Sequence, residues 1–420
     1  MITGRPRLVV VGNGMAGMRT VEELLKRSPD RFAISVFGAE PQVNYNRILL
    51  SPLLAGETRF ADIVINDRAW YDAHAIELIA GEPVVAIDRA ERRVVGAQGT
   101  TRSYDFLLTA TGSTPFVLPV PGATLPGTVT FRDVADVETM LAAAKRYRRA
   151  VVIGGGLLGL EAANGLMANG MEVAVIHLMP SLMERQLDAA AGALLASDLE
   201  RRGMRILTAA NTTAILGTDR VEGVRLDDGR VLAADLVVMA AGIRPHTALA
   251  RASGLDCRRG VLVDDALRTS DRRIFAVGEC VEHRGVTHGL VAPLWEMAAV
   301  CADQLSGIAT SHYEGSVPAT TLKVTGIDLF SAGDIAGEAG SESIVFRDVV
   351  RGVYKRLIVR NDRLRGVVLY GDARDGHWYA RLLREGTDIG PLRDALIFGP
   401  AYADAAALAA APGGAIRQVA

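Results

Sequence analysis

The sequence predicts an α/β fold with two doubly wound domains and a smaller α+β domain toward the carboxyl end. Two glycine-rich turns carry this prediction, because each lies between a β-branched strand and an apolar helix. The first turn is Gly12–Gly17, and the second, far along the chain, is Gly154–Gly159. After about residue 315, strand-like runs alternate with Gly and Asp turns and lack βαβ spacing, which predicts the third domain.

The first domain opens with a predicted strand over Leu8–Val11, a helix over Met15–Lys26 and a strand over Ala33–Phe37. A further apolar strand over Tyr104–Thr109 leads into the small-residue turn Thr111–Ser113. The proline-rich stretch after this turn predicts a linker between domains.

The second domain repeats the pattern of the first. It has a predicted strand over Ala150–Ile153, a helix over Leu157–Asn169 and strands over Glu172–Ile176 and Leu236–Met239. A strand over Ile274–Val277 follows. The runs that predict strands of the third domain are Thr321–Val324, Ser343–Phe346, Val353–Val359 and Leu364–Leu369.

The composition is that of an ordinary globular protein of two or three domains. The chain has 420 residues, of which 49% are hydrophobic and 22% charged, and its formal net charge is −2. This charge argues against nucleic acid as a partner, and no apolar run reaches membrane-spanning length. Three scattered cysteines, Cys257, Cys280 and Cys301, form no metal-binding pattern. Without a recognisable signal peptide, we expect a cytoplasmic protein with no bound metal and no membrane partner.

The spacing within each glycine turn matches what a dinucleotide requires. The first glycine makes the tight turn, the second lets backbone N–H groups approach a pyrophosphate, and the third lets helix and strand pack closely. Glycines that serve only tight βα turns are the alternative interpretation. Two such loops predict two dinucleotides on one polypeptide, most simply an oxidoreductase that passes a hydride between a nicotinamide and a flavin.

These motifs resemble the pyridine nucleotide–disulfide oxidoreductases, which are glutathione reductase-like flavoproteins. The narrower resemblance is to the FAD-containing amino-terminal region of the assimilatory NADH-dependent nitrite reductase large subunit. The strings that carry it are Gly12–Met15, Tyr45–Arg47, Gly154–Glu161, Gln186–Asp188, Gly278–Cys280, Gly289–Pro293 and Tyr354–Val359. That large subunit continues into cysteine-rich iron–sulfur and sirohaem-binding parts, whereas the three scattered cysteines of this sequence are not expected to hold an iron–sulfur cluster. The resemblance therefore implies a stand-alone electron-input module.

The resemblance also implies that FAD binds the first loop and that NAD binds the second. It gives FAD-binding parts over residues 1–117 and 244–314, an NAD(P)-binding domain over 118–243 and a carboxy-terminal interface domain over 315–420. The candidate cofactor-binding residues are Gly12, Gly14, Met15, Ala16, Gly17, Glu40, Arg47, Thr111, Gly112, Arg132, Gly154, Gly156, Leu157, Leu158, Gly159, Glu161, His177, Gly242, Gly278, Glu279, Pro293 and Trp295.

Several of these candidates have a specific predicted role. Glu40 follows the second strand and is the candidate for the FAD ribose, while Arg47 is the candidate for the FAD pyrophosphate. Glu279 stands at the late flavin motif, where the resemblance implies a contact with the ribityl or pyrophosphate region. Trp295 is expected either against the isoalloxazine or in the core. By resemblance, Glu161 contacts the nicotinamide carboxamide.

The nucleotide preference stays open at the residue level. An NAD-binding domain usually carries Asp or Glu after its second strand, whereas His177 stands there in this chain, with Arg185 nearby. Neutral histidine can bind a ribose 2′-OH, and protonated histidine tolerates a 2′-phosphate. We expect NADH on resemblance, with NADPH as the alternative.

Thiol chemistry beside the flavin is not expected, because no cysteine occurs between Gly17 and Gly112. Hydride transfer needs no acid–base pair, so no catalytic residue is assigned. The predicted function is electron transfer from NADH through FAD to a partner, which is assimilatory nitrate or nitrite reductase or an iron–sulfur protein. The alternatives are a rubredoxin or ferredoxin reductase of an oxygenase, an oxidase that reduces oxygen, and a flavin-bound redox sensor. The sequence is also compatible with a homodimer.

A basic stretch in the third domain is a candidate docking patch for an acidic redox partner. Solvent-facing charges that protect a strand edge are the alternative explanation. The residues of this stretch are Arg347, Arg351, Lys355, Arg356, Arg360, Arg363 and Arg365.

Overall fold

The computed structural model describes residues 4–308, 311–322, 324 and 326–403. Its strands, numbered in chain order, are β1 (Arg7–Val11), β2 (Ala33–Gly38), β3 (Asn44–Tyr45), β4 (Val64–Asn66), β5 (Glu77–Ala80), β6 (Val84–Asp88), β7 (Arg93–Gly96), β8 (Thr101–Ser103), β9 (Phe106–Thr109), β10 (Ser113–Pro115), β11 (Thr128–Thr130), β12 (Arg149–Ile153), β13 (Glu172–Ile176), β14 (Arg205–Leu207), β15 (Thr212–Leu216), β16 (Gly223–Leu226), β17 (Val231–Ala233), β18 (Leu236–Met239), β19 (Ile243–Pro245), β20 (Val261–Val263), β21 (Ile274–Ala276), β22 (Val281–His283), β23 (Ala319–Thr321), β24 (Leu329–Gly333), β25 (Glu342–Asp348), β26 (Val353–Arg360) and β27 (Arg363–Tyr370).

The α-helices are α1 (Met15–Arg27), α2 (Leu50–Ala55), α3 (Phe60–Ile63), α4 (Arg68–Ala73), α5 (Val134–Ala144), α6 (Leu157–Ala168), α7 (Ala189–Arg201), α8 (Ala248–Ala252), α9 (Val291–Ser306) and α10 (Gly376–Glu385). Short 3₁₀ segments cover Arg47–Leu49, Gly390–Leu392 and Leu396–Phe398. None of the helices in the described part of the chain is both long enough and apolar enough to cross a bilayer.

The chain divides into two compact units, each built from separated segments. The first contains Met1–Val117, Arg132–Glu138 and Gly242–Ser316. Its main sheet is parallel, with strand order β21-β9-β1-β2-β5, and the antiparallel sheet β6-β7-β8 accompanies it. Both faces of the parallel sheet contribute to one core, so its strands are continuous apolar runs, as such sheets require.

The second unit contains Leu118–Phe131, Thr139–Ala241 and Val317–Ala420. Its parallel sheet has the order β11-β18-β12-β13-β14, so that the glycine-loop strand lies in the middle, as in the first unit. An antiparallel sheet β15-β16-β17 again accompanies it. The same architecture therefore occurs twice in the chain.

An arginine–aspartate contact at the start of the central strand is also repeated. In the first unit the Arg7 N–H donates to the Asp105 carboxylate at 2.8 Å, and the guanidinium donates to the same group. In the second, Arg149 makes the same contacts with Asp235, its N–H at 3.0 Å. Each pair links the start of the central strand to the residue just before the strand beside it, β9 or β18.

The carboxy-terminal part of the second unit is an antiparallel sheet of order β23-β24-β27-β26-β25, with α10 packed on it. This is the predicted α+β region, although one predicted strand differs. The sequence predicts a strand over Thr321–Val324, and the structure has one over Ala319–Thr321. Leu322 and Val324 are buried, so their apolar character reflects packing and not strand pairing.

Candidate functional site

The first glycine loop contains two glycines that the fold itself requires. Gly12 has φ +118°, and a Cβ there would lie 2.2 Å from the Ala110 carbonyl oxygen. A Cβ on Gly17 would lie 2.6 Å from the Gly12 carbonyl oxygen, so a side chain would push α1 away from β1. These two positions are glycine because backbone packs on backbone.

Gly14 differs, since nothing in its own unit requires it to be glycine. Its φ of −85° and ψ of −179° suit any residue, and among the residues that the structure describes a Cβ would meet no atom within 4 Å. It is the N-cap of α1 and brings no side chain to the N–H groups of the first turn, where Met15 and Ala16 are buried. A helix N-terminus open in this way fits a pyrophosphate.

The second loop shows the same division. Gly154 has φ +126°, and its Cβ would lie 2.3 Å from the Ala240 carbonyl oxygen, while a Cβ on Gly159 would lie 1.9 Å from the Gly154 carbonyl oxygen. Gly156, the N-cap of α6, has an extended backbone and open space around its Cβ. Leu157 and Leu158 form the first turn of α6, so this helix N-terminus also fits a dinucleotide.

Glu40 lies just beyond β2, as predicted, and is held by two neighbours. The Tyr45 hydroxyl donates to Glu40 Oε2 at 2.6 Å, and the Arg47 guanidinium binds Glu40 Oε1. Burial raises the pKa of Tyr45 far above its usual value, which keeps its hydroxyl a donor. The Arg47 guanidinium also donates to the Arg132 carbonyl oxygen at 3.0 Å.

The late flavin motif, Gly278–Glu279, contacts other candidate residues of the first unit. The Arg132 guanidinium binds the Glu279 carboxylate, and the Ser113 hydroxyl donates to it at 2.7 Å. Gly278 has φ +92°, and a Cβ there would lie 2.9 Å from the Cβ of Ala16 at the start of α1. The late motif and the first helix N-terminus therefore adjoin.

The remaining candidates of the first unit lie as follows. Thr111 donates to the His246 carbonyl oxygen at 2.9 Å, and Gly112 and Gly242 both have positive φ, as tight turns require. In α9, Pro293 is buried, whereas Trp295 is 43% exposed and lies under the Arg19 guanidinium. The core position weighed for Trp295 is therefore wrong, and the flavin contact stays a prediction.

In the second unit, Glu161 is buried in α6, and His177 directly follows β13. His177 is only 8% exposed, and its ring contacts the glycine loop. Its Nδ1 accepts the Gly155 N–H at 3.0 Å, and its Nε2 lies 3.0 Å from Glu184 Oε2. Both ring nitrogens thus have partners within the chain, which the sequence analysis did not foresee.

Lys355, one of the residues of the candidate docking patch, does not face solvent. Lys355 is 5% exposed, and its ammonium lies 3.0 Å from Asp372 and 4.0 Å from Asp375. Arg356 is also largely covered and lies 3.2 Å from Asp188, the N-cap of α7. Asp372 and Asp375 follow the next strand, β27, whereas Asp188 lies 168 positions before Arg356. The exposed arginines of the stretch include Arg347, Arg351, Arg363 and Arg365.

Ser113 and Glu184 contact candidate site residues but are not themselves among the candidates that the sequence predicts. Ser113 directly follows the candidate residues Thr111 and Gly112, and this position could have indicated that Ser113 also belongs to the site. Glu184 lies seven positions after His177, and no local pattern marks it as a neighbour of that ring.

Comparison with known proteins agrees with this geometry. The family model described as pyridine nucleotide-disulphide oxidoreductase matches residues 6–304. The model of the rubredoxin NAD⁺ reductase C-terminal domain matches residues 318–387.

Two relatives from Bacillus subtilis are similar over most of the chain. A nitrite reductase [NAD(P)H] is 50% identical over 92% of this chain and 48% of its own length. An assimilatory nitrate reductase electron transfer subunit is 45% identical over 88% of this chain and 48% of its own length. The chain thus spans about half the length of these relatives.

A solved ferredoxin reductase from Rhodopseudomonas palustris has a TM-score of 0.83 and 28% identity, covering 91% of this chain and 96% of its own. These matches confirm the predicted fold class and the predicted enzyme class, an oxidoreductase that uses FAD and a pyridine nucleotide. The chain belongs to the pyridine nucleotide-disulphide oxidoreductase family.

Proposed function

We propose that this protein passes electrons from NADH through FAD to a partner redox centre, namely the catalytic part of a nitrite or nitrate reductase. One observation carries the proposal: the open N-cap glycine recurs in both units. Gly14 and Gly156 have unstrained backbones and open surroundings, whereas their neighbouring glycines are enforced by packing. Two helix N-termini kept open in this way suit two pyrophosphates.

Different residues around the first loop bind different parts of FAD. The α1 N-terminus receives the pyrophosphate, and Glu40 accepts from the adenosine ribose. Arg47 and Arg132 supply positive charge, while Arg132 and Ser113 orient the Glu279 carboxylate. Hydride acceptance followed by one-electron release is the chemistry that FAD supplies when bound.

The residues of the second unit hold the pyridine nucleotide. The α6 N-terminus receives its pyrophosphate, and Glu161 in the first turns of the same helix contacts the carboxamide. The protein's contribution is mostly positional, because hydride transfer requires alignment and exclusion of water, without a general base.

Electrons leave the site without a thiol relay. No cysteine lies between Gly17 and Gly112. Cys280, beside Glu279, is completely buried, and burial raises the pKa of its thiol, so it stays protonated. An outside acceptor must therefore take the electrons directly. The nitrite and nitrate reductase assignment of that acceptor rests on the 50% and 45% identical relatives.

A ferredoxin or rubredoxin reductase is the second candidate function. It is favoured by the match of residues 318–387 to the rubredoxin reductase C-terminal domain. The ferredoxin reductase from R. palustris also matches over nearly its whole length. Both candidates use the same cofactors, so only the acceptor distinguishes them.

A comparison of acceptors tests the proposal. The protein is reduced anaerobically with NADH and then mixed rapidly with three acceptors: a nitrite reductase lacking its flavin half, a rubredoxin and a ferredoxin. Preferential reoxidation by the nitrite reductase supports the proposal. Faster reoxidation by rubredoxin or ferredoxin supports the second candidate. Rapid reoxidation by oxygen alone would identify an oxidase instead.

A further inference from the structure

The end of β13 is where a dinucleotide-binding domain usually places the acidic residue that binds the ribose 2′-OH. In this chain the position belongs to His177, whose ring is turned into the glycine loop. Because Nδ1 accepts the Gly155 N–H, the ring proton lies on Nε2 and is donated to Glu184. The imidazole therefore joins the glycine loop to a carboxylate.

The segment that carries Glu184 is packed against the same loop. The Met183 N–H donates to the Gly155 carbonyl oxygen at 3.0 Å. A Cβ on Gly155 would lie 2.6 Å from Leu182 and 2.7 Å from the His177 ring, so a side chain there would displace both. Residues 182–184 are thus held beside the end of β13.

The other end of this segment is also held. Asp188 caps α7 by accepting the Ala191 N–H at 3.0 Å, and it accepts from the Tyr354 hydroxyl at 2.5 Å. The Arg356 guanidinium, 3.2 Å away, donates to the same carboxylate. The position of Glu184 is therefore set from both sides of its segment, by the glycine loop and by the carboxy-terminal sheet.

We infer that Glu184, oriented by His177, selects NADH over NADPH. The Glu184 side chain is 31% exposed, and a carboxylate has about four acceptor positions, of which His177 uses one. Glu184 therefore supplies at the end of β13 the negative charge that His177 lacks. That charge accepts a 2′-OH and repels a 2′-phosphate. This inference rests on the proposed function and adds the nucleotide preference to it.

Equilibrium binding of the oxidised nucleotides tests the inference without turnover. NAD⁺ and NADP⁺ are titrated by calorimetry into the oxidised, FAD-loaded protein and into Glu184→Gln. We expect wild type to prefer NAD⁺ and the variant to lose at least about tenfold of that preference, mostly through tighter NADP⁺ binding. Glu184→Lys, which reverses the charge, is expected to shift the ratio further toward NADP⁺.

The matched control is Glu172→Gln, because Glu172 is an exposed glutamate at the opposite end of β13. Removal of its charge should leave the NAD⁺ to NADP⁺ ratio unchanged. An equal shift in the control, or an unchanged ratio in both Glu184 variants, overturns the inference. Failure of wild type to bind either nucleotide contradicts the proposed function instead.

Discussion

At the residue scale, the glycines of each loop serve two different purposes. Gly12, Gly17, Gly154 and Gly159 make room for backbone, whereas Gly14 and Gly156 leave space that no described residue fills. The sequence pattern predicts all of them as one motif. The structure separates the glycines that packing requires from those whose surroundings would accept a side chain.

This separation predicts opposite outcomes for neighbouring substitutions. Gly14→Val should leave the unfolding temperature of the apoprotein nearly unchanged and abolish FAD retention, because its side chain enters the pyrophosphate space. Gly12→Val should lower the unfolding temperature itself, because its Cβ collides with the Ala110 carbonyl and its φ is strained. Flavin absorbance per protein and apoprotein thermal unfolding measure the two effects. Normal FAD content in Gly14→Val would contradict this division.

A second residue-scale prediction concerns Asp235. The Arg149 guanidinium and backbone N–H groups lower the pKa of Asp235 to about 2. A carboxyl group whose pKa is lower in the folded state contributes stability above its unfolded pKa, and this contribution disappears as pH falls toward about 2. Asp235→Asn should therefore lower the unfolding temperature by a few degrees at pH 7, and the decrease should be smaller in acid.

The measurement is thermal unfolding of wild type and Asp235→Asn at neutral pH and at pH values below about 4. The exposed Asp219, on a loop of the same unit, provides the control variant Asp219→Asn. If the difference in unfolding temperature between wild type and Asp235→Asn grows as pH falls, the ionised Asp235 carboxylate does not stabilise the fold as predicted.

At the element scale, the glycine-loop strands and helices follow their predicted boundaries to within about a residue or two. Their signals are local, since a β-branched run, a glycine turn and an apolar helix follow one another directly. Contacts between distant segments were not predictable in the same way. Arg132 meets Glu279 across 147 positions, and Tyr354 meets Asp188 across 166. No pattern within a short window encodes such pairs.

Lys355 shows why a charge run was misinterpreted. Strand alternation correctly predicts that some of its neighbours face solvent, but the carboxylates that accept Lys355 follow the next strand. Lys355→Met should destabilise the protein by about 2 kcal/mol, since Asp372 then keeps Arg374 as its one ionic partner among the described residues. Denaturant unfolding measures this, with Arg365→Met, at an exposed position of β27, as control. Equal stability of the two variants would contradict the account.

At the scale of the whole molecule, the parallel sheet with a central glycine-loop strand occurs twice, and each copy supports one helix N-terminus. The carboxy-terminal sheet, β23-β24-β27-β26-β25, carries exposed arginines beside the turn between β25 and β26, where Val349 and Val350 are 75% and 97% exposed. If an acidic partner docks there, Arg347→Glu with Arg351→Glu should slow electron transfer about tenfold at low salt.

The salt dependence makes this prediction specific, because the difference from wild type should shrink as salt rises. Reduction of ferricyanide by NADH should stay unchanged, since it needs no docked protein. Arg205→Glu with Arg225→Glu, at exposed positions of the same unit, is the matched control. Equal losses in both double variants would indicate a general charge effect and not a docking surface.

The central claim is that one chain binds two dinucleotides and moves a hydride between them. The most direct measurement is an anaerobic titration of the FAD-reconstituted protein with NADH, followed through the flavin absorbance. We expect one FAD per chain, bleached by one equivalent of NADH in wild type. In Gly156→Val we expect FAD to be retained but not bleached. Absence of FAD from the wild-type protein, or bleaching that Gly156→Val leaves unchanged, would contradict the account.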